Sequence, residues 1–189
     1  LITKKIFKKK TVRHLAEKHK INTINVVNKI ELNDKIENSF IGFAFNFDLI
    51  LNKEILIKFS KGVFNIHASK LPKDRGISPA LWAYARGDKE IWSTIYEMDE
   101  GIDTGNIYKQ FRVSVNDNDT LFSIYKKISL LSGKVLNSVY NDVLENKIIL
   151  KSQNKNLETT YLSWPDQKFD IMIKKSKVRL FSFNNLFNI

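Results

Sequence analysis

Residues 40–47 (FIGFAFNF) constrain the fold of this chain most. The run is nearly continuous in apolar side chains, whereas a half-buried strand would alternate. It suits a parallel strand covered on both faces. Residues 23–27 (TINVV), 62–67 (GVFNIH), 92–98 (WSTIYEM) and 106–115 also read as strands, rich in β-branched and aromatic side chains.

Helical patterns lie between these runs. Residues 120–146 form the longest, with Leu121, Ile124, Ile128, Leu131, Val135, Val139 and Val143 at spacings of three and four, and Asp119 or Thr120 as its cap. Residues 78–86 (SPALWAYAR) set Ser78 as N-cap and Pro79 at the first helical position, ahead of Gly87. Residues 11–20 read as a short helix capped by Thr11, and residues 33–38 and 53–59 as helical turns. Strands alternating with helices predict an α/β domain with a mostly parallel sheet and flanking helices. The pattern opens on a helix, so an opening strand–helix unit is expected to be absent. The first residue is Leu1 rather than Met, which fits a trimmed or unusually read start. Residues 1–150 are expected to form one domain. Residues 151–189 then make a tail, with 151–158 a surface linker ahead of the aromatic segment 160–166 (TYLSWPD).

Composition narrows the chemistry. Apolar residues at 43% and charged residues at 27% describe a globular chain. The absence of cysteine excludes disulfides, Cys-ligated metals and thiol catalysis, and is compatible with a reduced, cytoplasmic setting. With 3 histidines, a multi-histidine metal site is not expected. No apolar run reaches the length of a membrane span, and the basic opening residues lack the apolar core of a signal peptide. The net charge of +11 favours polyanionic partners such as nucleic acid, nucleotide-linked molecules or an acidic surface. A compositional bias toward Lys, Asn and Ile explains the same number.

Two local patterns carry chemistry. On a strand, Phe64 and Ile66 face one way and Asn65 and His67 the other, with about 6.5–7 Å between the latter two along the chain. An amide donor beside an imidazole is suited to holding a developing oxyanion. A satisfied buried histidine and a capping asparagine fit the same residues. The second pattern is the turn Met98-Asp99-Glu100-Gly101-Ile102-Asp103-Thr104-Gly105. Its glycines allow tight backbone geometry. Three carboxylates there fit a solvated acidic hairpin or a divalent cation, although the spacing is not that of an EF-hand.

Taken together, Phe64-Asn65-Ile66-His67-Ala68-Ser69-Lys70-Leu71-Pro72-Lys73-Asp74-Arg75-Gly76, then Gly87-Asp88, then Ser93 through Gly105, resemble the signature of the 10-formyltetrahydrofolate-dependent formyltransferase family. The resemblance is strongest over residues 49–105 and extends over residues 11–146. It implies a Rossmann-like fold and formyl transfer from 10-formyltetrahydrofolate to an amine, without a metal. It implies Asn65, His67 and Asp103 as catalytic residues: Asn65 and a protonated His67 stabilise the formyl oxygen, while Asp103 supports the imidazolium and takes the amine proton. It implies a pterin pocket from Asp48, Leu49, Ile50 and Leu51, from Ser69, Lys70, Leu71 and Pro72, and from Asp99, Glu100, Gly101 and Ile102. Lys70 stands where relatives commonly carry Leu, and Asp48 where they often carry Gly. The family's opening strand and glycine loop are expected to be missing before Leu1, and the stretch after the long helix is too short for the C-terminal barrel of methionyl-tRNA formyltransferases.

The leading acceptor is therefore a primary amine on a small anionic molecule, such as a nucleotide-linked amino sugar. Methionyl-tRNA is the second acceptor, favoured by the charge. A homodimer fits the sugar-modifying members. A different reading is a non-catalytic basic module for nucleic acid, using Lys4, Lys5, Lys8, Lys9, Lys10, Arg13, Lys174, Lys175, Lys177 and Arg179. A third is an inert shortened product.

Overall fold

The strand that carries Asn65 and His67 lies inside a four-stranded sheet. A computed structural model of the chain describes residues 12–47, 49–154, 156–157 and 160–164. The N-terminal lysines, Thr11, Asp48, Pro165, Asp166 and the basic tail lie outside the described residues. The chain divides into two units, Leu1–Glu37 and Asn38–Ile189. The first holds α1 (Val12–Lys18) and α2 (Lys29–Lys35), the latter started by the Asn28 side chain accepting from the Glu31 N–H. Residues 21–26 form no strand, contrary to the expectation from TINVV: no described strand pairs with them, and β propensity without a partner makes no ladder.

The second unit runs β1 (Gly42–Phe45), α3 (Lys53–Leu56), β2 (Val63–His67), β3 (Arg75–Gly76), α4 (Pro79–Arg86), β4 (Glu90–Glu97), β5 (Ile107–Ser114), α5 (Leu121–Leu144) and β6 (Tyr161–Leu162). The main sheet has the order β1-β2-β4-β5, and β3 pairs with β6. β1 is parallel to β2, β2 antiparallel to β4, and β4 antiparallel to β5. Three strands thus share one direction and β4 alone runs against them. The sheet is mixed, with helices packed on it as the alternation implies.

One face of the sheet is apolar. Phe64, Ile66 and Ile95 pack under Val135, Val139 and Val143 of α5, and Ile91 packs with Ala80, Ala83, Tyr84, Ile124 and Ile128. The three-and-four spacing of α5 delivers this stripe. Thr120 caps the helix by accepting from the Ser123 N–H, and Ser123 accepts in return from the Thr120 N–H. Cover on both faces, expected for residues 40–47, fails. Phe43 and Phe45 are 43% and 56% exposed, while Ala44 on the opposite face is buried. The reason is position: β1 ends the described sheet, and the α5 layer is centred on β2, β4 and β5. Ser78 is likewise not a side-chain cap. Its φ of 52° turns the chain into α4 in the left-handed region, with no side-chain cap hydrogen bond. Pro79 at the start of α4 also has no N–H to satisfy.

Two stability effects follow. Ile95 is fully buried, so Ile95→Ala should cost about 2–5 kcal/mol in urea unfolding; a loss under about 1 kcal/mol contradicts this core. At the start of α5, burial pushes the Asp119 carboxyl up, but hydrogen bonds from Lys127, the Asn116 N–H and Ser123 outweigh it and hold it below its usual value. A depressed folded value gives stability above the unfolded pKa of about 3.9 and loses it as pH falls through the folded one. Asp119→Asn should therefore lower the melting temperature at pH 7, by a margin that closes below about pH 4. An equal deficit at pH 7 and pH 2.5 would contradict the assignment.

Candidate active site

The second face of the sheet is polar where β2 ends. In the β2–β4 register Asn65 lies opposite Tyr96 and His67 opposite Thr94. Opposed residues on antiparallel strands project to the same side. These four side chains therefore share one face, away from α5, and all four are buried. The sequence-based separation of Asn65 and His67 from Phe64 and Ile66 is what the strand delivers.

Two loops close over this face. The first follows β2. Thr94 donates through Oγ1 to the Ser69 carbonyl at 2.7 Å and accepts from the Leu71 N–H at 3.2 Å. Gln110 donates to the Leu71 carbonyl at 3.0 Å. Ser69, Leu71 and Pro72 are buried by these contacts, whereas Lys70 projects outward, 4.3 Å from the Trp92 ring centre. The second loop is the acidic turn. Asp99 accepts from the Gly101 N–H and the Thr104 hydroxyl, so it ties the loop to itself. Glu100 accepts from the Lys53 N–H at 3.2 Å. Gly105 is required by close approach: a Cβ there would lie 1.7 Å from the Glu97 carbonyl oxygen.

Asp103 turns inward and is 9% exposed. Its Oδ1 accepts from the Tyr96 hydroxyl at 2.7 Å and lies 3.5 Å from His67 Nδ1. Its Oδ2 accepts from the Gly76 N–H at 2.7 Å. Its backbone sits at φ 54°, a left-handed conformation that costs a non-glycine residue about 1–2 kcal/mol. Such strain persists only where surrounding contacts hold it. Gln153 provides them, donating to the carbonyls of Asp103 and Gly105 at 2.8 and 2.9 Å.

His67 Nε2 lies 2.8 Å from the Asp74 carbonyl oxygen. A carbonyl only accepts, so Nε2 carries a proton and the Nδ1 edge faces Asp103. Asn65 donates through Nδ2 to the Tyr96 hydroxyl oxygen at 3.0 Å, and its Oδ1 is buried without a hydrogen-bond partner. Burial first, then the Asp103 charge, pushes the Tyr96 hydroxyl well above its ordinary pKa, against a smaller opposing effect of Asn65. The phenol therefore keeps its proton through neutral pH.

The structure thus brings Asn65, His67 and Asp103 into one cluster. The residues expected to line a pterin pocket differ in burial. Ile50 and Ile102 are 51% and 46% exposed, Asp99, Glu100 and Gly101 lie on the surface, Leu51 is buried and Leu49 half-buried. A cavity of about 410 Å³ beside the first loop carries charges of both signs, from Lys70, Lys73 and Lys89 and from Glu90, with Arg86 paired to Asp74 and Asp88. Among the described residues no group of three or more His, Cys, Asp or Glu is placed to hold a metal ion, and no helix is long and apolar enough to cross a membrane.

Sequence reasoning missed Tyr96, Gln153 and Thr160. Thr160 accepts from the Asp74 N–H at 3.1 Å and donates to Asp74 Oδ1 at 2.9 Å, while β6 pairs with β3. Gly76 must be glycine there: its φ is 93°, and a Cβ would meet the Leu162 carbonyl oxygen at 2.4 Å. The aromatic side chains of this segment are Tyr161 and Trp164. Both are exposed, and the segment pairs with β3 because Asp74, Arg75 and Ile77 present backbone groups to it. Gln153 fell in a polar stretch read as linker, where nothing but its neighbours in space marks it. Removing it should be felt: Gln153→Ala strips two buried carbonyls of their donor, an expected loss of about 1–3 kcal/mol in urea unfolding. An unchanged midpoint would contradict the clamp.

Comparison with known proteins identifies the family. The profile of the formyl transferase family matches residues 4–140. The chain is 36% identical over 141 residues to the bifunctional polymyxin resistance protein ArnA of Wigglesworthia glossinidia brevipalpis, covering 75% of this chain and 21% of that one. It is 37% identical over 112 residues to the methionyl-tRNA formyltransferase of Caldanaerobacter subterraneus subsp. tengcongensis, covering 59% of this chain and 36% of that one. Its fold matches the N-formyltransferase from Helicobacter canadensis, solved with folinic acid and dTDP-3-aminofucose, with a TM-score of 0.67 at 24% identity over 93% of this chain and 65% of that one. The chain thus spans between 21% and 65% of the length of these three relatives. The Rossmann-like fold anticipated from the motifs is the fold of these neighbours. By the profile match and the motifs that now cluster in space, the chain belongs to the formyl transferase family.

Proposed function

We propose that this chain transfers a formyl group from 10-formyltetrahydrofolate to the primary amine of a small anionic acceptor, a nucleotide-linked amino sugar. The observation that carries the reading is the buried cluster of Asn65, His67 and Asp103 on one polar face of the sheet. The family's donor supplies an activated formyl carbon. The residues here suit it: Asn65 offers a second amide hydrogen not used by Tyr96, and a buried Oδ1 in want of a donor.

In this reading the amine nitrogen bonds to the formyl carbon as the carbon's bond to the folate N10 breaks. The amine loses one proton and N10 gains one, so a formamide and tetrahydrofolate result. Asn65 holds the negative charge that develops on the formyl oxygen through its amide N–H. Both ring nitrogens of His67 already face protein groups, so with Nδ1 protonated His67 contributes positive charge rather than a spare donor. Asp103 balances that charge and takes up the amine proton, directly or through water. Leu51, Leu71 and Pro72 supply apolar walls, and the surface residues of the acidic turn offer backbone groups to the pterin.

The acceptor reading is supported by the neighbouring N-formyltransferase, which was solved with a nucleotide-linked amino sugar. Methionyl-tRNA is the second reading, favoured by the identity to the Caldanaerobacter enzyme and by the net charge. His67→Ala and Asp103→Asn should each lower kcat for formyl transfer by about 10²–10³-fold. Folinic acid binding, measured by calorimetry, should stay within a few-fold of the parent. Near-normal kcat in either variant would remove that residue from the mechanism.

A further inference from the structure

We infer that Tyr96 is a positioning residue for this reaction: its hydroxyl, set between Asn65 and Asp103, fixes which way the Asn65 amide faces. The kinetic consequence rests on the formyl-transfer reading; the geometry does not. Direction comes from donor and acceptor chemistry. The Asp103 carboxylate can only accept, so the Tyr96 O–H at 2.7 Å donates to it. The Tyr96 oxygen is left to accept, and the group 3.0 Å away on Asn65 must then be its N–H rather than its carbonyl oxygen. The opposite amide orientation would set two acceptors against each other in a buried site, which is costly.

The lock is built into the sheet. Asn65 and Tyr96 are cross-strand partners, and both side chains are buried at 8% and 2% exposed, so each is held beside the other. Burial and the Asp103 charge keep the phenol protonated, so the direction does not reverse near neutral pH. A consequence follows for the substrate. With one amide hydrogen held by Tyr96, the other is oriented for the formyl oxygen. Oδ1, buried and without a partner, is oriented to accept an N–H from the attacking amine. The amide then holds both reacting groups, and its value depends on not flipping.

Tyr96→Phe in the full chain keeps the ring and removes only the hydroxyl. The expected result is a kcat lower by about 10- to 100-fold with the donor KM changed by less than about threefold. In an Asn65→Ala background the same change should alter kcat by less than about twofold, because the amide it orients is gone. A readout independent of turnover is the Asn65 side-chain amide signal in NMR, assigned by its loss in Asn65→Ala. Tyr96→Phe should move it toward the position of a free amide. Should Tyr96→Phe lower the melting temperature by more than about 5 °C, Asp103→Ala carries the same test, since it removes the acceptor for the Tyr96 proton and must also move that signal. An unmoved Asn65 signal overturns the inference whether or not the chain is active, as do equal kinetic losses with and without Asn65. A wild-type chain that transfers no formyl group, yet shows the shifted signal, overturns the formyl-transfer reading and leaves the Tyr96 lock standing.

Discussion

A carboxylate taken out of water costs several kcal/mol unless donors replace the lost hydration. Asp103 is nearly buried, and its donors come from distant parts of the chain. Tyr96 reaches it from β4 and the Gly76 N–H from β3, while the imidazole of His67 faces it from β2. Each must stand at its place for the carboxylate to remain buried with its hydrogen bonds made. The β2–β4 register, the path of the loop after β2 and the strained backbone at Asp103 are therefore conditions of one another. The apolar face under α5 supplies the free energy that permits this polar face. Phe64, Ile66 and Ile95 are neighbours in sequence of Asn65, His67, Thr94 and Tyr96, so the alternation that builds the core also aims the site.

The segment after α5 belongs to the same system. Gln153 holds the carbonyls of Asp103 and Gly105 and accepts from Arg75 at 2.6 Å. Thr160 holds Asp74, whose carbonyl faces His67 and whose carboxylate pairs with Arg86. β6 pairs with β3, the strand that offers the Gly76 N–H to Asp103. The groups flanking both His67 and Asp103 are thus fixed by residues 153–162, more than forty positions downstream of Asp103.

Much of this was legible in the chain itself, and the reasons differ from residue to residue. Period-two alternation alone put Asn65 and His67 on one face, because strand geometry leaves no other arrangement. The stripe of α5 from Ile124 to Val143 was legible for the same kind of reason. Asp103 as partner of His67 came from the motif resemblance, not from spacing. Residues 23–27 misled because propensity is local while a strand needs an edge to join. Ser78 misled because a capping residue type says nothing of a positive φ. Phe43 and Phe45 misled because an apolar run reports what a strand would prefer as cover, not where the strand lies in the sheet. Tyr96 and Gln153 were invisible as site residues: a cross-strand partner and a long-range clamp are defined by register and topology, which no window of sequence contains.

The most direct test of the account is a calorimetric titration of the folded chain with folinic acid, a stable analogue of the formyl donor. The account predicts saturable binding near the micromolar range, about −8 kcal/mol, which weakens little in His67→Ala because that residue serves the reaction rather than the pterin. A folded chain that shows no saturable binding at millimolar ligand would contradict it, since the buried cluster would then have no donor to act on.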